Sequence, residues 1–150
     1  MPPDFKDILS LFNSHAIDYM VIGAYAISAH GCPRATGDID LWVRTEPANA
    51  QRVYAALARF GAPLKNMSVE DFATMGMIYQ IGLPPVRIDV LTEISGVTFD
   101  EAWPNRVEAE IEGLRVNVIG RDDLIANKKA SGRPKDAIDV AMLEKQIRKG

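Results

Sequence analysis

Apolar positions change period several times along this chain, and each change marks an element. Phe5, Ile8, Leu9, Leu11 and Phe12 recur at the three-and-four spacing of one helical face, with Pro2 and Pro3 just before them, so an amphipathic helix is expected over Asp4 to His15. Tyr19 to Ile22 is a short β-rich run that ends at Gly23. The small residues Ala24, Ala26, Ser28 and Ala29 then suit a closely packed helix, stopped by Gly31 and Pro33. Asp38 to Arg44 opens with strict alternation and turns apolar, as in a central strand whose first turn is polar.

A second helix is expected from Ala48 to Phe60, with Val53, Leu57 and Phe60 at helical spacing, closed by Gly61 and Pro63. Ile78 to Ile81 and Val86 to Leu91 flank Gly82-Leu83-Pro84-Pro85, a linker too short for a parallel crossover, so they form a β-hairpin. Glu108 to Ile111 and Leu114 to Val118 make another short pair around Glu112-Gly113. Two helices finish the chain: Arg121 to Ala130, capped by the Asp122-Asp123 turn, and Pro134 to Lys149, with Ala137, Ile138, Val140, Ala141, Leu143 and Ile147 on an apolar side. The expected fold is α+β, a two-layer arrangement of a mixed β-sheet with helices mainly on one face. Residues 1 to 150 read as one domain, with its C-terminal helices from about 121 to 149.

Composition bounds the function classes. With 150 residues, 47% hydrophobic and 25% charged, the chain suits a globular protein with a real core. The longest apolar run, Tyr19 to Ile27, falls far short of the roughly 20 residues that cross a bilayer, and no leader pattern opens the chain, so a cytoplasmic location is expected. Cys32 is the only cysteine, which excludes an internal disulfide and a thiolate metal cluster; it reads as a small, partly buried thiol. Residues 1 to 114 hold 8 Lys and Arg against 15 Asp and Glu, and residues 115 to 150 hold 9 against 5. The basic C-terminal end serves either as a phosphate contact or as a solvated helix face. Overall acidity argues against broad duplex binding.

Asp38 and Asp40 carry the strongest chemical signal. Residues two apart on a strand share a face with Cα atoms roughly 6.5 to 7 Å apart, so both carboxylates can reach one cation. Oxygen-only ligands with no His or Cys suit Mg²⁺. Isolated Asp-x-Asp sequences are more commonly strand ends or helix caps. Asp89, inside the apolar strand Val86 to Leu91, needs a partner: either Arg87, which shares its face, or a metal beside Asp38 and Asp40. Upstream, Gly23-Ala24 closes a strand and opens a helix, leaving backbone N–H groups where a triphosphate can lie.

Ile22-Gly23-Ala24, the 13-residue gap and Asp38-Ile39-Asp40-Leu41 resemble the signature of the DNA polymerase beta-type nucleotidyltransferase superfamily. Within it, Ala29 to Asp40 and Leu124 to Asp139 are similar to minimal bacterial nucleotidyltransferases related to AbiEii-like abortive-infection toxins. The resemblance implies that Asp38, Asp40 and Asp89 bind two Mg²⁺ ions, with Asp89 near the acceptor oxygen and helping to deprotonate it. It implies that Gly23 and Ala24 approach the triphosphate through the backbone, and that Arg34, Lys128 and Lys129 face its phosphates. Arg133, Lys135, Asp136 and Asp139 would support the site, against capping, surface-pair and solvated-loop roles. The implied reaction moves a nucleoside monophosphate from a nucleoside triphosphate to an RNA, protein or small-molecule hydroxyl, with a transfer RNA or a cognate toxin or antitoxin as a macromolecular partner. A non-catalytic nucleotide-binding or antitoxin-like module is the alternative, because Ala24 stands where Gly or Ser is usual. His15 and His30 read as packed or capping residues, Trp42 and Trp103 as core or rim aromatics; Tyr25 and Tyr79 stay open as base-stacking candidates.

Overall fold

The computed structural model describes residues 1–149, and side chains for residues 1–145. Helices α1 (Pro3–Ser14), α2 (Gly23–Ala29), α3 (Pro47–Phe60), α4 (Val69–Phe72), α5 (Phe99–Ala102), α6 (Arg121–Ser131) and α7 (Pro134–Lys149) alternate with strands β1 (Tyr19–Ile22), β2 (Asp38–Val43), β3 (Ile78–Leu83), β4 (Val86–Leu91), β5 (Val107–Ile111) and β6 (Leu114–Val118). The strands form one mixed sheet, as the sequence pattern anticipates, in the order β3-β4-β2-β1-β6-β5 that only the fold sets. β1 lies antiparallel to β2 and parallel to β6, β2 lies parallel to β4, and the hairpins β3–β4 and β5–β6 form the two outer pairs.

The core explains the elements. All four residues of β1 are buried, and Ile39, Leu41, Trp42 and Val43 of β2 join them with Ile88 and Val90 of β4. The buried face of α1, Phe5, Ile8, Leu9 and Phe12, packs on α3 and β6, and α3 contributes Ala50, Val53, Ala56 and Leu57. Gly61 ends α3 in the left-handed conformation that glycine adopts without strain. Burying such side chains contributes about 1.5 to 3 kcal/mol each, so the apolar periods dominate over local propensity.

Four local readings change. The hairpin linker is two residues, Pro84 and Pro85, because β3 continues to Leu83. The one-turn helices α4 and α5 escape periodicity, although each carries a capping box, Ser68 with Asp71 and Thr98 with Glu101. In α7 the buried stripe is Asp136, Asp139, Val140 and Leu143, and Ile138 stands 65% exposed. Ile147 lies outside the described side chains. Asp122 and Asp123 sit in the first turn of α6 behind Gly120 as N-cap, where they favour the positive end of the helix without a side-chain cap bond.

Candidate active site

Strand register builds the site. Asp38 pairs with Arg87 and Asp40 with Asp89 across the parallel β2–β4 ladder, so four side chains make a square on one face. Arg87 Nε donates to Asp89 Oδ1 at 2.9 Å, and Arg87 Nη2 reaches Asp89 Oδ2 at 3.2 Å and Asp38 Oδ2 at 3.4 Å. Asp89 is 8% exposed, and a carboxylate that deep needs the guanidinium or another cation. Burial, then the charge of Asp89 with which it shares a hydrogen bond, then that of Asp38, raise the Asp40 carboxyl to about 7 against the opposing pull of Arg87. Arg87 is itself held above its usual value by its hydrogen bond to Asp89.

Gly23 is needed for a reason the sequence did not reveal. Its φ is +70°, and a Cβ there would stand 2.2 Å from Asp40 Oδ2. The glycine therefore makes room for the Asp40 carboxylate, in addition to opening α2. Gly37 has a similar duty at the start of β2, where a Cβ would overlap Pro85 O of the β3–β4 turn.

These residues open onto a cleft of about 780 Å³. Gly23, Ala24, Arg34, Asp38, Asp40, Asp89, Lys128, Arg133, Lys135 and Asp139 all line it. Residues from five elements and two loops thus meet at one place. Lys129 does not line it; Lys129 Nζ pairs with Glu144 at 3.2 Å on the surface, because it follows Lys128 on α6 and points elsewhere. Tyr25 packs edge-on against Phe5 and Tyr79 against Phe72, and no aromatic side chain lines the cleft among the described residues.

The basic residues of the C-terminal hairpin are not free. Lys128 is buried, with Nζ 3.2 Å from Asp136 Oδ1 and 3.3 Å from Asp139 Oδ2. Arg133 Nε meets Asp136 Oδ2 at 2.9 Å, Ser131 donates to the same oxygen, and Arg34 forms an ion pair with Asp139. Burial opposes ionisation of Asp136, but the hydrogen bonds from Ser131, Arg133 and Lys128 outweigh it and hold that carboxyl well below the usual range. Asp139 thus ties the loop before β2 to the α6–α7 hairpin. Sequence reading missed Ser131, Asn127, Ser95 and Glu93 as cleft residues. Glu93 had a signal, since it lies four residues past Asp89 and continues the same alternation. His30 Nε2 bonds Ile119 O at 2.7 Å and His15 Nδ1 bonds Leu11 O at 2.9 Å, and Cys32 is buried, so all three have packing roles.

Among the described residues no three His, Cys, Asp or Glu side chains converge closely enough to hold a metal ion. Arg87 accounts for this, because it bridges Asp38 and Asp89 in place of a cation. The donor chemistry still fits a hard divalent ion: three carboxylates, one of them driven toward protonation by burial and by the charges of the other two.

The mixed six-stranded sheet with acidic residues on its central strands is the polymerase beta-like fold, and with this cleft it defines the nucleotidyltransferase class. The chain belongs to the family described as nucleotidyl transferase of unknown function (DUF2204), whose model matches residues 3–150. Among solved structures, the lincosamide antibiotic adenylyltransferase LnuA with bound lincomycin is 13% identical with a TM-score of 0.62, covering 96% of both chains. ANT(2'')-Ia in complex with adenylyl-2''-tobramycin is 18% identical with a TM-score of 0.61, over 93% of this chain and 84% of that one. A nucleotidyltransferase structure from Thermotoga maritima is 12% identical with a TM-score of 0.59, over 97% and 91%. At these identities the likeness is one of fold. No curated protein matches by sequence. No described helix is long and apolar enough to cross a membrane.

Proposed function

We propose that this protein is a Mg²⁺-dependent enzyme that transfers a nucleoside monophosphate from a nucleoside triphosphate to a hydroxyl acceptor. The observation that carries the reading is the square of Asp38, Asp40, Asp89 and Arg87 in the lining of a cleft that also takes Arg34, Lys128, Arg133 and Lys135. Asp38, Asp40 and Asp89 would hold the divalent ions, which supply charge neutralisation for the triphosphate and the attacking oxygen. Arg34, Arg133 and Lys135 face the same cleft and suit the outer phosphates, while Lys128, paired with Asp136 and Asp139, holds the α6–α7 hairpin that carries the latter two. The acceptor oxygen attacks the α-phosphorus, the bond to the bridging oxygen of the β-phosphate breaks, and pyrophosphate leaves with that electron pair. Asp89 takes the acceptor proton. Ala24 supports only backbone contacts to phosphate.

The test is transfer of an α-phosphate label from each nucleoside triphosphate, with Mg²⁺, into the RNA, protein and small-molecule fractions of a cell lysate. Label in one fraction, absent with Asp38→Asn or Asp40→Asn at unchanged fold, supports the proposal; equal labelling by those variants overturns it. The non-catalytic alternative predicts triphosphate binding without transfer. The resemblance of Ala29 to Asp40 and Leu124 to Asp139 to AbiEii-like toxins extends the proposal to a toxin–antitoxin pair in the cytoplasm. Growth arrest on expression, relieved by Asp40→Asn or by a neighbouring gene, is the outcome that reading requires.

A further inference from the structure

A second cleft, of about 650 Å³, adjoins the first and shares Glu93 and Ile94 with it. Strand alternation joins them. On β2, Asp38, Asp40 and Trp42 lie on one face, and the row leads from the carboxylates to Trp42, a wall of the second cleft. On β4, Asp89, Leu91 and then Glu93 run the same way. The two spaces meet at Glu93 and Ile94, beyond the end of β4 that carries Asp89.

The second cleft has an apolar wall and an acidic rim. Trp42 and Phe99 stand edge to face at 5.1 Å, and Met75, 54% exposed, and Ile94 extend this surface. Its charged residues are Glu46, Glu93, Asp100, Glu101 and Arg44. Arg44 brings no free positive charge, because it is bound to Asp18 at 2.9 Å and to Asp100, and it stacks 4.7 Å over Phe99. Glu101 is engaged with Thr98 in the α5 capping box. Glu46 and Glu93 are exposed and make no described ion pair.

We infer that the second cleft receives the acceptor, and that the acceptor is a small, hydroxylated, amine-bearing molecule whose ammonium groups meet Glu46 and Glu93 while its carbon skeleton lies on Met75 and Ile94. The inference rests on the transferase reading and gives it a substrate class. A polyanion is disfavoured here, since an RNA backbone would meet like charge at the rim. Basic residues of the C-terminal end do not offset this, because none of them lines the second cleft, and Lys128, Lys129, Arg133 and Arg115 are paired with carboxylates.

Calorimetry on the whole protein, without nucleotide or Mg²⁺, tests the inference with tobramycin as the amine-bearing probe and maltotriose as its uncharged counterpart. Tobramycin is expected to bind and maltotriose not, with affinity falling as ionic strength rises. The Glu46→Gln/Glu93→Gln double variant should lose roughly tenfold or more, and Glu70→Gln, an exposed acid outside the cleft, should lose nothing. Equal affinity in the double variant and the wild type, an equal loss in Glu70→Gln, no tobramycin binding, or preferred binding of maltotriose or an RNA oligonucleotide overturns the assignment. Label transfer separates the two readings. Glutamate-dependent tobramycin binding with no transfer to any acceptor removes the transferase reading and leaves an amine-binding cleft. Transfer to RNA or maltotriose without tobramycin binding removes the cleft assignment and leaves the transferase.

Discussion

Arg87 Nε stands 2.9 Å from Asp89 Oδ1, two residues along the same strand, and the same guanidinium reaches Asp38 on the neighbouring strand. The arginine thus does for two carboxylates what a divalent cation would do, and a cation bound there would have to compete with it. Arg87→Gln should leave Asp89 buried beside a neutral group and lower stability without metal. Saturating Mg²⁺ should restore most of that loss, and divalent affinity should rise several-fold over wild type. Thermal unfolding with and without Mg²⁺, together with Mn²⁺ titration, reads both effects; a variant that binds metal more weakly contradicts the competition.

Asp40 sets a pH dependence of defined sign. Its carboxyl is raised to about 7 in the fold, whereas an unfolded aspartate ionises near 4, so between these values the native state holds the extra proton. Stability without metal should therefore fall as pH rises from about 4 to about 7, and then level off. Cation binding must expel that proton, so Mg²⁺ affinity should increase from pH 6 to pH 8. Unfolding curves across this range, and calorimetry in two buffers of different ionisation enthalpy, measure the slope and the released proton. Asp40→Asn should flatten both.

Gly23 and Gly61 separate backbone strain from steric conflict. Both have positive φ, +70° and +94°, but a Cβ at Gly61 meets nothing within 4 Å, while one at Gly23 runs into Asp40. Gly61→Ala should cost about 1 to 2 kcal/mol for its conformation alone. Gly23→Ala should cost more and also weaken divalent binding, which Gly61→Ala should leave intact. Denaturant unfolding and metal titration of the pair decide this.

The buried ionic cluster predicts a contrast between adjacent lysines. Asp136→Ala strips Lys128, Ser131 and Arg133 of a shared acceptor and should destabilise by about 3 to 5 kcal/mol. Lys129→Ala, whose partner Glu144 is also exposed, should stay within about 0.5 kcal/mol. Because the Asp136 carboxyl is held below its ordinary range, its contribution is complete above the ordinary aspartate value and is lost as pH falls through the depressed one. Chemical denaturation at neutral and acidic pH tests both statements.

Much of this protein follows from local pattern. The periods of α1, α3, β1, β2 and β4 are visible because apolar burial selects them residue by residue, and the spacing of Asp38 and Asp40 guarantees a shared face. The family likeness brought Asp89 and the C-terminal block into the same site before any coordinates. Sequence could not decide what required the register of non-adjacent strands. That Arg87 faces Asp38, that Gly23 yields space to Asp40, and that Lys128 is consumed by Asp136 and Asp139 while Lys129 points away all depend on packing between elements far apart in the chain. The acidic second cleft is the clearest case. Its walls come from β2, the start of α3, the segment after β4 and α5, so no window of sequence contains it, and only the sheet, by setting those segments side by side, gives their carboxylates a common space.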